Sequence, residues 1–311
     1  MELIRGVHNL RPRHRGCVAT IGNYDGVHLG HQAVLDSIIE VGKQLGLPSA
    51  VMAFEPTPQE FFAAERAPAR LTRFREKYNA LAGTGVERFL CLRFDRAFSE
   101  LSPEAFVERI LVQGLGVRHL VAGDDFRYGY RRSGDFASLK AAGLKHGFSV
   151  QDTPSFLFEG ERVSSSRIRH ALERGELDLA TRLLGRPYSM CGRVVPGDRL
   201  GRTLGFPTAN ILPSRRVLPM TGVFAVTVSG VADKPWPAVA NLGTRPTVNG
   251  KRALLEAHLL DFEGDIYGRH LEVEFVAKLR DEHRFENVQL MTEQMHRDLK
   301  AAREILSGRG A

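Results

Sequence analysis

Hydrophobic and polar positions alternate along the first half of the chain as short apolar runs followed by amphipathic segments. Apolar runs bounded by glycine or polar residues predict buried strands, and apolar residues at helical spacing predict the helices between them. The predicted strands are 17–22, 49–55, 88–94, 118–123 and 148–152. The predicted helices are 31–46, 74–83, 102–116 and 135–147. Repeated strand–helix units indicate an α/β fold, a Rossmann-like doubly wound parallel sheet with helices on both faces.

The pattern changes in the second half of the chain. Two short helical segments, 165–175 and 176–185, come first, and from residue 189 onward the apolar runs predict strands separated by turns with Gly, Pro and Asn. These runs are SMCGRVV, GVFAVTVSGV, WPAVANLG, LLEAHLLDF and HLEVEFVAKL. They indicate a small barrel or sandwich, followed by a C-terminal helix over 287–306. We therefore expect two domains, residues 1–186 and 187–311.

Composition narrows the class of protein. Of the 311 residues, 43% are hydrophobic and 25% are charged, as in ordinary globular proteins. No segment approaches the roughly 18 to 20 continuous apolar residues of a membrane helix, and the N-terminus lacks the apolar core of a signal peptide. We therefore expect a cytoplasmic protein without a membrane partner. Cys17, Cys91 and Cys191 have no metal-binding spacing and lie in or beside apolar runs, so we expect small buried residues.

The positive charge is spread along the chain. The net charge of +7 comes from 43 basic and 36 acidic residues, and it divides into +4 up to Arg186 and +3 after it. A nucleic-acid-binding protein usually concentrates its charge on one face or arm. We therefore expect anionic small molecules as ligands and no nucleic-acid partner. RNA binding is the alternative, and its sign would be a basic patch with interleaved aromatic residues.

The stretch GNYDGVHLGH, residues 22–31, follows a predicted strand and begins a predicted helix. A helix N-terminus presents unpaired N–H groups and a partial positive charge, which suit a phosphate. His28 and His31 are three residues apart and fall on one face of the first turn, so both imidazoles can donate hydrogen bonds to one polyphosphate. The alternative is a pair of capping or core histidines. GDDFRYG, 123–129, also follows a strand, so both stretches should lie at one edge of the sheet.

A second dense stretch is GDRLGRTLGFPTAN, residues 197–210. Glycines and arginines make a flexible, positively charged loop, and the stretch lacks the GxxxxGK[ST] pattern of a P-loop. Thr208 and Asn210 are two residues apart on an extended segment, so their side chains point the same way. Hydroxyl and amide oxygens are hard ligands that suit Mg²⁺ on nucleotide phosphates. The alternative is a loop that only turns a corner of the barrel.

These motifs resemble a known family. GNYDGVHLGH is similar to the HxGH signature of the nucleotidylyltransferase superfamily, and more narrowly to the version in bifunctional riboflavin kinase/FMN adenylyltransferases, also called FAD synthetases. Further similar stretches follow in order: FEPTPQEFF, RLTRFREK, GDDFRYGYRRSGD and VSSSRIR. The PTAN stretch, VANLGTRPT, LLEAHLLDFEGDIYG and LRDEHRFENVQLMTEQMHRD resemble the riboflavin kinase domain, which is a small antiparallel β-barrel. The resemblance covers nearly the whole chain.

For the first half, the resemblance implies transfer of AMP from ATP to FMN, which makes FAD and releases pyrophosphate. His28 and His31 would be catalytic residues on the ATP phosphates. The other expected nucleotide ligands are Gly22, Asn23, Asp25, Gly30, Ser164, Ser165, Ser166 and Arg167. The expected flavin ligands are Phe62, Asp125, Arg127 and Tyr128. Asp125 departs from the Asn of some relatives, and Phe62 and Tyr128 are either flavin-stacking or core aromatics. The serine-rich stretch is otherwise an N-cap followed by a solvated Arg.

For the second half, the resemblance implies phosphorylation of the riboflavin 5′-hydroxyl by ATP. Glu256 of LEAH would be the general base, and its strand position projects it away from Leu255 and Ala257. An exposed strand glutamate would show the same pattern. Thr208 and Asn210 would bind Mg²⁺, with Asn210 also counted as catalytic. The remaining expected ligands of the ATP phosphates are Gly201, Arg202, Gly205, Asn241 and Arg245.

The expected protein is therefore one chain with two enzymes, using ATP and Mg²⁺ to convert riboflavin to FMN and FMN to FAD, as a monomer or weak homo-oligomer. One alternative is an HxGH transferase for another acceptor with a regulatory flavin-binding barrel. The intact PTAN and LEAH stretches disfavour it. The other is a non-catalytic flavin or nucleotide sensor. Its sign would be loss of His28, His31 or Glu256, all of which are present.

Overall fold

The computed structural model describes residues 1–197, 205–247 and 250–308. The chain forms two compact units. The first comprises Met1–Ala67 and Phe74–Val163, and the second comprises Pro68–Arg73 and Ser164–Ala311. The second unit therefore includes a short segment whose flanking residues belong to the first.

The first unit contains a six-stranded parallel sheet with the order β1-β4-β3-β2-β5-β6. Its strands are β1 (Glu2–Arg5), β2 (Cys17–Ile21), β3 (Ser49–Glu55), β4 (Arg88–Arg93), β5 (Val117–Ala122) and β6 (Ser149–Asp152). From β2 the chain adds strands in one direction, and with β5 it returns to the other side of β2. The switch point of this doubly wound sheet therefore lies between β2 and β5, where ligands bind in such folds.

Helices cover both faces of the sheet. They are α1 (Leu29–Leu45), α2 (Pro58–Phe62), α3 (Phe74–Ala82), α4 (Arg96–Ser99), α5 (Pro103–Phe106), which continues as π-helix over Val107–Gly114, and α6 (Phe136–His146). A two-stranded hairpin, β7 (Leu157–Phe158) and β8 (Glu161–Arg162), completes the unit. Successive residues of β2 enter different cores: Cys17 and Ala19 pack in one cluster and Val18 in the other. Because β2 is buried on both faces, apolar residues occupy four of the five positions of CVATI, with Thr20 as the exception.

The second unit contains two helices, a closed antiparallel barrel and a last helix. The barrel order is β10-β13-β12-β11-β14-β9. The elements are α7 (Ser165–Glu173), α8 (Leu177–Leu184), β9 (Ser189–Val195), β10 (Ala209–Leu212), β11 (Gly222–Ser229), β12 (Trp236–Thr247), β13 (Gly250–Leu259), β14 (His270–Arg280) and α9 (Val288–Ser307). Of the barrel or sandwich predicted from the apolar runs, the barrel is confirmed.

Arginine side chains hold the second unit together at two places. Buried Arg215 donates from Nε to the Arg70 carbonyl at 3.3 Å and from Nη2 to the Leu71 carbonyl at 3.1 Å. These bonds fasten the segment Pro68–Arg73 into this unit. Helix α9 is fastened to β14 by the ion pair of Arg280 and Asp298, whose Nη2 and Oδ2 atoms lie 2.9 Å apart.

The predicted elements agree with the structure to within a few residues at most ends, and SAVMAFE and SMCGRVV coincide with β3 and β9. The sequence pattern predicted neither β1 nor β10, since a strand of four residues gives only a weak periodic signal, although the equally short β6 lies within the predicted strand 148–152. Helices α7 and α8 group with the barrel rather than with the sheet. That residues 1–186 and 187–311 are separate domains, each active on its own, stays a prediction.

Candidate active sites

The loop between β2 and α1, residues 22–28, lies at the switch point of the sheet. Its backbone is unusual, because Tyr24 (φ 48°), Gly26 (φ 91°) and Val27 (φ 44°) all adopt positive φ values. Glycine reaches this region freely, whereas other residues incur a cost of about 1–2 kcal/mol. Side chains support the strained residues: the Tyr24 and Thr20 hydroxyls lie 2.7 Å apart, and Gln32 Nε2 donates to the Val27 carbonyl at 2.9 Å.

His28 and His31 are brought together by the start of α1. His28 is the N-cap, and its Nδ1 accepts a hydrogen bond from the His31 backbone N–H at 3.3 Å. The two imidazole rings stack with centroids 3.6 Å apart and an interplanar angle of 16°. Because Nδ1 of His28 accepts, its proton in the neutral ring lies on Nε2, which is then a donor. The capping role and the phosphate-binding role are therefore compatible in one residue.

Gly22 and Gly30 leave room for the rings of this loop. A Cβ atom at Gly30 would lie 3.3 Å from the His28 ring and 3.4 Å from the Val163 carbonyl oxygen. A Cβ atom at Gly22 would lie 3.1 Å from the Tyr24 ring. Asp25 is buried in the same loop, with 7% of its surface exposed. The absence of a side chain at Gly30 thus leaves room for the His28 ring, and its absence at Gly22 leaves room for the Tyr24 ring.

The expected flavin ligands divide between exposed and buried positions. Phe62 ends α2 with 69% of its surface exposed, beside Phe61 and Phe94. Tyr128 is only 6% exposed, stacks on Phe126, and lies in the main core cluster. Its burial raises the pKa of the phenol. Each ring was expected to stack on the flavin or to pack in the core. Tyr128 packs in the core, whereas Phe62 presents its ring to solvent.

Asp125 and Arg127 lie beyond the carboxyl end of β5, on the other side of the switch point from β3. The Asp125 side chain is 72% exposed, and its Oδ2 is 3.8 Å from Arg162 Nη2. An exposed ion pair of this length contributes little to stability. Because the Asp125 side chain is mostly exposed, its carboxylate is accessible to a ligand. Arg127 Nη1 donates to the Phe126 carbonyl at 3.1 Å.

The serine-rich stretch begins α7, in the second compact unit. Ser164 is the N-cap, and its hydroxyl accepts a hydrogen bond from the Arg167 backbone N–H at 3.2 Å. Ser165, Ser166 and Arg167 form the first turn. The N-cap part of the alternative interpretation is therefore correct, and the amides of this turn remain the kind of site that binds an anion.

The predicted kinase residues meet on the barrel. Asn210 on β10 pairs with Glu256 on β13, and Glu256 also pairs with Asn241 on β12. Residues directly opposite in antiparallel strands share a face, with Cβ atoms about 4.5–5.5 Å apart. The adjacent Leu255 and Ala257 are fully buried, so the polar row lies on the opposite, outer face of the barrel wall. The structure thus brings together three residues that the sequence separates.

Two residues outside the predicted set support this row. His258 Nδ1 lies 2.8 Å from the Pro207 carbonyl oxygen, so Nδ1 donates and fixes the chain just before Thr208. Gly197 lies against Asn210, because a Cβ atom there would be 2.7 Å from Asn210 Cγ. His258 follows Glu256 by two residues, which places both on one strand face; the role of Gly197 has no sequence signal.

The remaining predicted residues are less fully described. Gly205 is exposed and has a φ of 83°. Gly201 and Arg202 lie outside the described residues. Arg245 lies on β12 opposite Arg252, and its side chain is outside the described part. Among the described residues, no three His, Cys, Asp or Glu side chains form a metal-binding group, and no helix has the length and apolar character needed to span a membrane.

Comparison with known proteins decides the family. Residues 10–167 match the family model described as FAD synthetase, and residues 184–306 match that described as riboflavin kinase. Proteins named bifunctional riboflavin kinase/FMN adenylyltransferase from Pseudomonas fluorescens and Escherichia coli (strain K12) are each 52% identical to this chain. The matches cover 98% of this chain and 98% and 97% of those relatives.

This chain belongs to the bifunctional riboflavin kinase/FMN adenylyltransferase family. A crystal structure named as a macrolide-efflux protein from Streptococcus pneumoniae has the same fold, with a TM-score of 0.81, 28% identity, and coverage of 97% of this chain and 99% of that one. The order of activities along the chain is adenylyltransferase, then kinase. The expected pair of enzyme activities is confirmed, and the HxGH transferase for another acceptor and the non-catalytic sensor gain no support.

Proposed function

We propose that this riboflavin kinase/FMN adenylyltransferase carries out its two reactions at two separate polar constellations. The histidine pair at the switch point of the sheet serves FAD formation. The row of Asn210, Glu256 and Asn241 on the barrel serves FMN formation. The observation that carries the proposal is that the two constellations lie on different folds. The histidine pair lies on a strand–helix turn of the parallel sheet, and the row lies on three adjacent strands of the barrel.

In FAD formation, an oxygen of the FMN phosphate attacks the α-phosphorus of ATP. A new P–O bond forms, the bond from the α-phosphorus to the bridging oxygen breaks, and pyrophosphate leaves with that oxygen. His28 Nε2 and His31 donate hydrogen bonds to the phosphates, and the N-terminal amides of α1 add their partial positive charge. The stacked rings and the capping bond hold both imidazoles in place before ATP arrives, which supports a positioning mechanism.

The other ligands of this reaction are assigned by their position in the motifs. Gly22, Asn23, Asp25 and Gly30 shape the loop around the phosphates. Negative charge on the nucleotide is bound by the start of α7, which comprises the N-cap Ser164 and the first-turn residues Ser165, Ser166 and Arg167. Arg167 contributes its guanidinium. Phe62 stacks on the flavin ring, which its exposure supports, and Asp125 and Arg127 bind polar groups of FMN. Tyr128 acts from the core, by holding the segment after β5.

In FMN formation, Glu256 accepts the proton of the riboflavin 5′-hydroxyl as its oxygen attacks the γ-phosphorus of ATP, and ADP leaves with the bridging oxygen. Asn210 and Asn241 flank the carboxylate across the sheet and orient it and the phosphates. The loop with Gly201, Arg202 and Gly205 contacts the phosphates, with Arg245 in support.

The donor set of the barrel fits Mg²⁺. Thr208 and Asn210 supply neutral oxygens, and Glu256, which pairs with Asn210, supplies a carboxylate. All three are hard oxygen donors. Thr208 and Asn210 would hold the ion, which when bound neutralises charge on the ATP phosphates. The structure supports the arrangement through the His258 bond to Pro207, which anchors the chain beside Thr208.

Further proposals concern the molecule as a whole. We assign the two activities to residues 1–186 and 187–311, and a fragment from residue 187 tests this by phosphorylating riboflavin on its own. A fragment from residue 164 is the matched control, because it retains α7 and α8. Cytoplasmic location and a monomeric or weakly associating state are tested by cell fractionation and analytical ultracentrifugation.

The experiment that tests the proposed function is incubation of the purified chain with riboflavin, ATP and Mg²⁺, followed by chromatographic separation of the flavins. FMN should appear first and FAD after it, with both dependent on ATP. A chain that converts neither riboflavin nor added FMN would refute the proposal.

A further inference from the structure

A buried lysine lies beneath the histidine loop. Lys77 is on α3 and has only 2% of its surface exposed, among the largest fully buried side chains of the described residues. Its Nζ donates a hydrogen bond to the backbone carbonyl of Asn23 at 2.6 Å. Burying an ammonium group is unfavourable unless it is hydrogen-bonded, so its hydrogen bonds indicate what the burial achieves. One of them is made to Asn23, the second residue of the loop that carries the histidines.

The position of this bond is informative because the loop is strained at its very next residue. Tyr24 has a φ of 48°, Val27 has a φ of 44°, and Gly26 between them has a φ of 91°. Such conformations persist only where the surroundings fix them. Tyr24 is fixed by its hydroxyl and Val27 by Gln32, as described above. Lys77 fixes the residue before Tyr24, where the loop leaves β2.

The loop has to be rigid for adenylyl transfer, because displacement of positioned groups by about 1 Å costs on the order of 100-fold in rate. Helix α3 is a suitable anchor, since Leu81 on the same helix is fully buried in the core that also contains Tyr24 and Val27. Lys77 therefore connects a packed helix to a strained loop through a short hydrogen bond.

We propose that Lys77 is a positioning residue for FAD formation, which holds the Asn23 carbonyl and so fixes the loop that presents His28 and His31 to ATP. The proposal rests on the proposed function of this loop. In this role Lys77 acts through Asn23 and not on the reacting atoms themselves. The competing interpretation is a lysine that only stabilises the first unit, and the two differ in which kinetic constant changes.

The experiment uses the full chain with three variants. Lys77→Met keeps the length and apolar stem and removes the donor. Lys77→Gln keeps an N–H donor on a shorter side chain. Lys43→Met, at an exposed position on α1, is the matched control. Each is assayed for FMN to FAD and, as an internal check on the protein, for riboflavin to FMN.

The expected result for Lys77→Met is a fall in kcat for FAD formation of about 30- to 100-fold, with KM for ATP within threefold of wild type. Lys77→Gln should recover part of that loss, and Lys43→Met should match wild type. Riboflavin phosphorylation should stay within twofold in all three. If the Met variant fails to give a folded first unit by near-ultraviolet circular dichroism, the Gln variant decides, with an intermediate kcat as the supporting result.

Two results would overturn the inference: folded Lys77 variants with wild-type kcat for FAD formation, or variants in which only KM for ATP rises, since that is lost ground-state binding. These are distinct from failure of the proposed function, in which wild type and Lys43→Met themselves would make no FAD.

Discussion

Gly197 lies where a single added methyl group should disturb the kinase row. A Cβ atom at this position would be 2.7 Å from Asn210 Cγ and 3.0 Å from Asn210 Oδ1. Ordinary carbon–carbon contacts are about 3.5–4.0 Å, so in Gly197→Ala the Asn210 amide must move by about 1 Å. The backbone itself tolerates alanine, because Gly197 is not among the residues with positive φ. The change is therefore a displacement of one side chain rather than strain in the chain.

A displacement of this size predicts a loss of about 100-fold in kcat for riboflavin phosphorylation. The assay follows FMN production from riboflavin and ATP, with conversion of added FMN to FAD measured on the same protein as a check. Gly308→Ala is the matched control, since a Cβ atom there would have no neighbour closer than 3.9 Å. Wild-type FMN production by Gly197→Ala would refute the placement of Asn210 in the kinase site.

Three further predictions concern chemistry, flavin binding and stability. Burial raises the pKa of the Cys17 thiol from 9.0 to about 12, so at pH 8 mass spectrometry should find Cys17 unmodified by a thiol reagent until the protein unfolds; rapid native labelling would contradict this. Because the unfolded chain loses this proton first, the contribution to stability is lost as pH rises from 9 towards 12. Phe62→Ala should raise KM for FMN about three- to tenfold through lost stacking, without lowering the melting temperature, and an unchanged KM would exclude the ring from the site. Arg215→Met should lower the free energy of unfolding of the second unit by about 2–4 kcal/mol in urea titration, because the Arg70 and Leu71 carbonyls lose a charged donor; an unaltered midpoint would contradict that role.

Most of the fold could be predicted from the sequence because the pattern of apolar residues is clear where elements are long or fully buried. CVATI and SAVMAFE are mostly apolar because parallel strands are covered on both faces. The alternation in LEAH predicted the outward direction of Glu256, and the buried Leu255 and Ala257 confirm it. The four-residue strands β1 and β10 gave no comparable signal, whereas the equally short β6 was predicted.

The site could be predicted only in part, because spacing within a motif does not specify contacts between motifs. The HxGH spacing predicted a shared face for His28 and His31, and the rings do stack. Nothing in the sequence indicates that Asn23 accepts a bond from Lys77, since that contact depends on how α3 packs. The row of Asn210, Glu256 and Asn241 likewise depends on strand register, which a single sequence does not reveal.

The central claim is that two separate sites perform two reactions, and crossed variants of the full chain test it most directly. The measurement is flavin chromatography after incubation with ATP and Mg²⁺, starting once from riboflavin and once from FMN. The double replacement of His28 and His31 by Ala should accumulate FMN and make almost no FAD, while Glu256→Gln should leave riboflavin unconverted and still turn added FMN into FAD. Loss of both reactions in either folded variant would contradict the account.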